Sequence, residues 1–244
     1  MMNTAVQFKE QQVNNILRLY REQPKGTSNK PAGVSSEVYA FKNKEEINKM
    51  IAVFDKHIAS ATTPTNTKVW HRNKLMFLLG INVALRGSDL SRLRWSDILN
   101  EDGTVKENTK IQPVKTRKTG KFVYIYFNDA CRTALQDYLS KYPYKSIHDY
   151  VFESKKSDDG IKPRQIWDVV KKAAKEAGIQ QNIGSHSLRK TFGYWVWHDA
   201  KDKEEALIIL QRIFNHSSPQ VTLRYIGVEQ EDIAEVYKKL NYGI

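Results

Sequence analysis

Apolar residues follow helical spacing over most of this chain and a strand-like alternation in one central stretch. Residues 5–22 place Val6, Val13, Ile16, Leu17 and Tyr20 near helical spacing, which predicts an amphipathic helix. Residues 24–36, PKGTSNKPAGVSS, carry two prolines and two glycines with almost no large apolar side chain and read as a linker. From residue 38 the pattern is denser. A helix is predicted over 42–60 with Ile47, Ile51, Val53 and Phe54 inward, and TTPTNT at 62–67 breaks it. Residues 69–85 form the most apolar helix, expected to be central and to deliver Arg86 from its end, with Gly87 opening a further short helix.

Between residues 95 and 127 the period shortens. Asp102-Gly103 marks a turn, and Val123, Ile125 and Phe127 alternate with Tyr124 and Tyr126 as in a half-buried strand. Lys118-Thr119-Gly120-Lys121 reads as a basic hairpin tip, and about three antiparallel strands are expected. Helical spacing resumes from Asp129, residues 150–154 are extended, 155–160 form a loop, and Gly178 ends a helix over 162–177. Leu188, Phe192 and Trp195 predict a largely buried helix, a further helix covers 204–214, and the tail at 229–240 aligns Ile233, Val236, Tyr237 and Leu240 on one face. The expected fold class is mainly α with a small antiparallel β-sheet. Residues 1–37 would be an N-terminal helix and linker, and 38–244 one domain.

Charge adds a partner. The 244 residues hold 39 Lys and Arg against 27 Asp and Glu, a net +12 that favours a polyanion, with nucleic acid first. Charge alone fits an ordinary basic protein equally well. The single cysteine, Cys131, excludes an internal disulfide and a cysteine-built metal site, and suits a reducing compartment. The longest apolar stretch, Leu75 to Leu85, contains Asn82 and is too short to span a bilayer. No secretory signal is visible, so a cytoplasmic protein is expected. The histidines lack metal-ligand spacing and no Walker-type loop is present, so neither a metal nor a nucleotide cofactor is expected.

Candidate chemistry gathers at 183–225. His186 and Arg189 stand three apart and share a helical face; His216 precedes Tyr225 by nine residues, with Ser-Ser-Pro and Thr222 between; Arg86 has Asp89 three residues on. Guanidinium groups fork onto phosphate oxygens, imidazoles move or donate protons, and a phenol can carry a covalent intermediate. Singly, each has a plain structural use: Arg86 paired with Asp89, or His216 capping the next helix.

As an ordered set these residues resemble the tyrosine recombinases, the phage integrase family. Their signature is an Arg with an acidic residue three on, His-x-x-Arg, Leu-Gly-His-x-x and Tyr. Here it reads Arg86 with Asp89, His186-Ser-Leu-Arg189, Phe214-Asn215-His216-Ser-Ser and Tyr225, within a match over roughly 40–244. Asn215 replaces the usual Gly, and Asn tolerates positive φ better than most residues. The family often carries a separate N-terminal DNA-binding domain, for which this sequence has no room, so a short member or a truncated one is expected.

The resemblance implies an integrase-like catalytic domain that breaks and rejoins DNA without metal or ATP. Arg86 and Arg189 would clamp the scissile phosphate, Tyr225 would attack it, and Lys118 would protonate the leaving oxygen. Lys115 and Lys121 would contact DNA or replace Lys118 in a shifted register. His186 would assist proton transfer, His216 would hydrogen-bond the phosphate, and Asp89 would orient an arginine. Implied partners are double-stranded DNA, three further copies on paired sites, and accessory DNA-bending proteins; the place is the nucleoid. Integration or excision of a phage or mobile element is the leading role. A short invertase, a type IB topoisomerase-like enzyme and an inactive DNA binder of the same fold remain alternatives.

Overall fold

The computed structural model describes residues 38–155 and 159–228, apart from the side chains of Lys118 and Thr119. The helix expected over 5–22, its linker and the amphipathic tail at 229–240 lie outside the described residues.

Helix α1, Lys44–Ala59, starts where the Asn43 side chain accepts from the Glu45 N–H at 2.7 Å, and it buries Met50 and Phe54. Helix α2, Pro64–Asn82, begins earlier than the break at 62–67 suggested. Pro64 occupies the first turn, where a missing N–H costs nothing, and Thr63 caps by accepting from Asn66. It also ends earlier, at Asn82, because Ala84 takes a left-handed φ of 56° that no helix continues. α2 is the central helix: it packs on α1, on α5 (Asp129–Lys141) and on α7 (Ser185–Asp199).

After α2 come two short helices, α3 (Gly87–Leu90) and α4 (Trp95–Ile98). The sheet has two strands where about three were expected. β1 (Asn108–Ile111) runs antiparallel to β2 (Val123–Tyr126), pairing Asn108 with Tyr126 and Lys110 with Tyr124. The expected third strand shrinks to a single bridge, Leu99 to Val105, around a turn with Gly103 at φ 80°. Between the strands the chain forms a 3-10 helix, Val114–Thr119, closed by Gly120 at φ 65°, in place of a tight hairpin tip. The twelve-residue separation between the strand ends exceeds what a two-residue turn can span, so the excess coils locally.

The remaining helices are α6 (Pro163–Glu176), α7, α8 (Lys203–Phe214) and α9 (Pro219–Ile226). Caps again set their starts: Asp202 accepts from Glu204 and Glu205, and Ser218 accepts from Val221 with Pro219 at the first position. No helix among the described residues is long and apolar enough to cross a membrane.

Two apolar clusters result. The larger surrounds α2 and includes Phe41, Phe54, Phe77, Trp95, Phe152 and Leu188. The smaller joins α7, α8 and α9 through Tyr194, Leu210, Phe214 and Ile226. The segment before α1 laces onto α7: the Phe41 N–H donates to the Thr191 hydroxyl at 2.8 Å, and the Trp195 indole donates to the Phe41 carbonyl at 2.9 Å.

Gly193 permits the close approach in the smaller cluster. A Cβ there would lie 2.6 Å from Ile226 Cγ2 and 2.7 Å from Phe214 Cζ. Gly193→Ala is therefore expected to destabilise the protein by about 1–3 kcal/mol through overpacking. A lower urea midpoint at unchanged slope would be the signature; an unchanged midpoint would mean that α9 moves aside freely.

Candidate active site

The site forms where α8 stops. Phe214 is its last residue, and Asn215 takes φ 53° and ψ 50°, the left-handed conformation that Asn adopts at modest cost. The final carbonyls of a helix have no partner within it and carry partial negative charge. Two guanidinium groups use one of them. Arg189 Nη2 donates to the Phe214 carbonyl at 3.2 Å, and Arg86 Nη2 reaches the same oxygen at 3.4 Å.

The backbone between α2 and α3 supplies the second support. Ala84 stands at φ 56°, a conformation that costs an L-residue roughly 1–2 kcal/mol. Its carbonyl accepts from Arg189 Nη1. Arg189 is thus held by two carbonyls, at 5% exposure, with its guanidinium carbon 4.6 Å from the centre of the Phe214 ring. Arg86 caps α3 from an extended backbone four residues past the end of α2, where the sequence pattern placed it directly at the end of that helix.

Tyr225 approaches from α9. Its ring meets Phe214 edge-on at 5.2 Å and His216 at 5.0 Å, and its hydroxyl is near enough to Arg189 and Arg86 to feel their charges. His216 Nδ1 lies 3.1 Å from the Thr222 hydroxyl, which itself donates to the Ser218 carbonyl at 3.3 Å. A hydroxyl has one proton to give, so that pairing makes Nδ1 the donor and leaves Nε2 as an acceptor in the neutral ring. His186 stands exposed one turn before Arg189 on α7.

The basic groups here are pushed towards their neutral forms. Burial, then the charges of Arg189, Arg86 and Lys115, lower His216 to about 4. Packing around the ring, then Arg189, Arg86 and Lys190, lower His186. Burial lowers Arg189 to about 10, with Arg86 adding and with Tyr225 and Asp89 opposing. Tyr225 is raised by burial, against the pull of the two arginines. These shifts describe a partly buried place with surplus positive charge, which an anion would relieve.

The lysine-bearing loop closes the cleft. Asp89, 4% exposed, accepts from the Val114 N–H at 2.8 Å and pins the start of the 3-10 helix. It was expected to orient an arginine. Here it anchors the loop by a hydrogen bond and acts on Arg189 through its charge. Lys115 is near enough to depress His216, and Lys121 lines a cleft shared with Arg86 and Arg189. The Lys118 side chain lies outside the described residues.

The structure therefore brings together Arg86, Asp89, Arg189, His216, Tyr225, Lys115 and Lys121, with His186 at the margin. It adds groups that sequence reasoning missed. Lys190 is 6% exposed with its ammonium 5.5 Å from the Tyr225 ring centre, and Arg212 lines the same cleft. A lysine inside the otherwise apolar run after Arg189 was the available signal for the first. Among the described residues no group of three His, Cys, Asp or Glu is placed to hold a metal ion.

Residues 42–232 match the model of the phage integrase family. The probable integrase/recombinase YoeC of Bacillus subtilis is 34% identical over 167 residues, 68% of this chain and 83% of that protein. The tyrosine recombinase XerA of Pyrococcus furiosus is 26% identical over 198 residues, covering 81% of this chain. The match takes in only 60% of that relative's length. Among solved structures, that of XerA recombinase aligns with a TM-score of 0.57 at 20% identity, over 91% of this chain and 68% of that one. XerH recombinase in a post-cleavage complex with its palindromic difH substrate also gives 0.57, at 19% identity, over 89% and 58%. At those identities the likeness is one of fold, and the fold is that of the tyrosine recombinases. With most of its length matched to the family model and a relative above 30% identity, the chain belongs to the phage integrase family.

Proposed function

We propose that this chain cuts and rejoins strands of double-stranded DNA at specific sites through a 3′-phosphotyrosyl link. One observation carries the reading: two guanidinium groups converge on a single carbonyl beside a half-buried phenol. Like charges held that close call for an anion, and a phosphodiester has two non-bridging oxygens to receive them.

In the forward step the Tyr225 oxygen bonds to phosphorus and the bond from phosphorus to the 5′ oxygen breaks. The phenol proton passes to a neighbouring base, for which His186 is the candidate, and the 5′ oxygen takes a proton from a lysine of the 115–121 loop. Rejoining is the reverse, with a 5′-hydroxyl attacking the phosphotyrosine. One phosphodiester is exchanged for another, so the cycle needs no ATP. Arg86 and Arg189 stabilise the charge that builds on phosphorus. His216, neutral in the empty site, becomes a donor once phosphate raises its proton affinity. Residues 38–244 would be the catalytic domain, four copies would act on paired sites, and the biological task would be integration or excision of a phage or mobile element. XerH, a structural relative, is bound to a recombination substrate.

Three measurements test this. On nicked duplexes tiled across the DNA flanking the gene, the protein should form a covalent adduct that persists in EDTA. Tyr225→Phe should abolish it; an adduct surviving that change would remove Tyr225 as the nucleophile.

Alanine at the lysine that serves as acid should slow cleavage by about 10²- to 10⁴-fold. A bridging sulfur in place of the 5′ oxygen leaves as thiolate and should restore the rate. Lys118 is the expected position, and rescue at Lys115 or Lys121 instead would relocate the acid.

Stability should also report His216. Its folded pKa of about 4 lies below the usual value of about 6.5, so the unfolded chain binds the extra proton between them. Stability should fall as pH drops through that window, and His216→Gln should flatten the fall. An equal slope in the variant would mean that the ring is freely protonated in the folded protein.

A further inference from the structure

The outer face of β2 carries an aromatic ladder that the cleavage chemistry does not use. Phe122, Tyr124 and Tyr126 are 48%, 60% and 68% exposed, at alternate positions that point to one face, while Val123, Ile125 and Phe127 turn inward. Lys110 stands opposite Tyr124 in the register, and its ammonium lies 4.2 Å from the centre of the Phe122 ring. The ladder runs out of the cleft: Phe122 and Tyr124 line it together with Arg86 and Arg189.

We propose that this face is a stacking platform for DNA bases unpaired next to the cleavage point. The inference rests on the strand-cutting reading. Once Tyr225 holds the 3′-phosphate, the freed 5′ end must leave its complement before it can join another strand, so bases beside the cleft lose their partners. Alternate residues of a strand are about 6.8 Å apart. Stacked bases along one strand are about 3.4 Å apart, so the gap between successive rings admits one base. Exposed rings accompanied by a lysine suit bases on a polyanionic backbone. The lysine also sets this face apart from a plain apolar docking surface, which would be depleted of ammonium groups.

The test uses Tyr225→Phe protein, so that no adduct accumulates, and two probes: a paired duplex and the same duplex with a central run of mismatches containing 2-aminopurine. The mismatched probe should bind about tenfold more tightly, with quenching of its fluorescence. Tyr124→Thr with Tyr126→Thr keeps strand-forming residues and removes both rings. It should lose the preference and the quenching while binding the duplex as before. Tyr124→Phe with Tyr126→Phe should keep both. Quenching by the protein with its ladder intact provides a readout that does not depend on the threonine variant folding.

A preference that survives the threonine changes overturns the platform. So does its absence in protein that binds duplex and, with Tyr225 restored, forms the adduct; in that case the cleavage reading stands alone. Failure to bind either probe and to form any adduct brings down both. If the threonine variant instead changes oligomeric state at unchanged preference, the face is a contact between copies and the platform is likewise overturned.

Discussion

The site depends on one carbonyl oxygen. Helix α8 could have ended anywhere in the loop that follows, but Asn215 stops it one residue before His216 by adopting a left-handed backbone. That leaves the Phe214 carbonyl outside the helical ladder and free for Arg86 and Arg189. The same residue contributes its ring, which packs against Tyr225 and His216 and lies under Arg189. Gly193 lets α7 come close enough for that ring to be covered. Moving the end of α8 by one residue would turn the carbonyl through about 100° and take both arginines out of reach of a common point.

Holding arginines with carbonyls has a chemical consequence. A carboxylate would hold a guanidinium more strongly, but it would neutralise the charge that a phosphate must meet. A carbonyl dipole positions the cation and leaves its net charge in place. Among the described residues that line the cleft the one carboxylate, Asp89, spends a hydrogen-bonding oxygen on the Val114 N–H. Burial depresses His216 and His186 first, and the surplus charge adds to it. An unpaired buried ion destabilises a protein by several kcal/mol, so the two carbonyl bonds to Arg189 and the left-handed turn at Ala84 are best understood together. Strain in the backbone of Ala84 is offset by the hydrogen bond it offers to the cation.

Much of this was legible in the sequence, and for reasons that differ by element. Helices with strong apolar periodicity, such as α1 and α6, came out nearly as expected because one face decides their fate. The short helix opened by Gly87 and the conformation of Asn215 were also readable, since each depends on a local backbone preference. Where α2 begins differs from the pattern: Thr-Pro reads as a break, although after a capping threonine a proline opens a helix equally well. The loop between β1 and β2 differs from the pattern for another reason. Its basic residues have no periodicity, and its 3-10 form is fixed by Asp89, which is distant in sequence. The burial of Lys190 beside Tyr225 depends on how α7 meets α9, and single-sequence spacing carries little of that.

Asp89 gives the loop and the clamp a common origin. It lies three residues after Arg86 on α3, and its carboxylate fixes Val114 at the start of the segment that carries Lys115, Lys118 and Lys121. A displacement of α3 would therefore shift Arg86, proposed to meet the phosphate, and the loop lysines, proposed to meet the leaving oxygen, in the same direction. An acid must stay within hydrogen-bonding reach of the atom it protonates, and a rigid shared anchor preserves that distance where two independent supports would not. The acidic residue of the motif, on this view, sets the geometry between clamp and acid. Its charge also acts on Arg189.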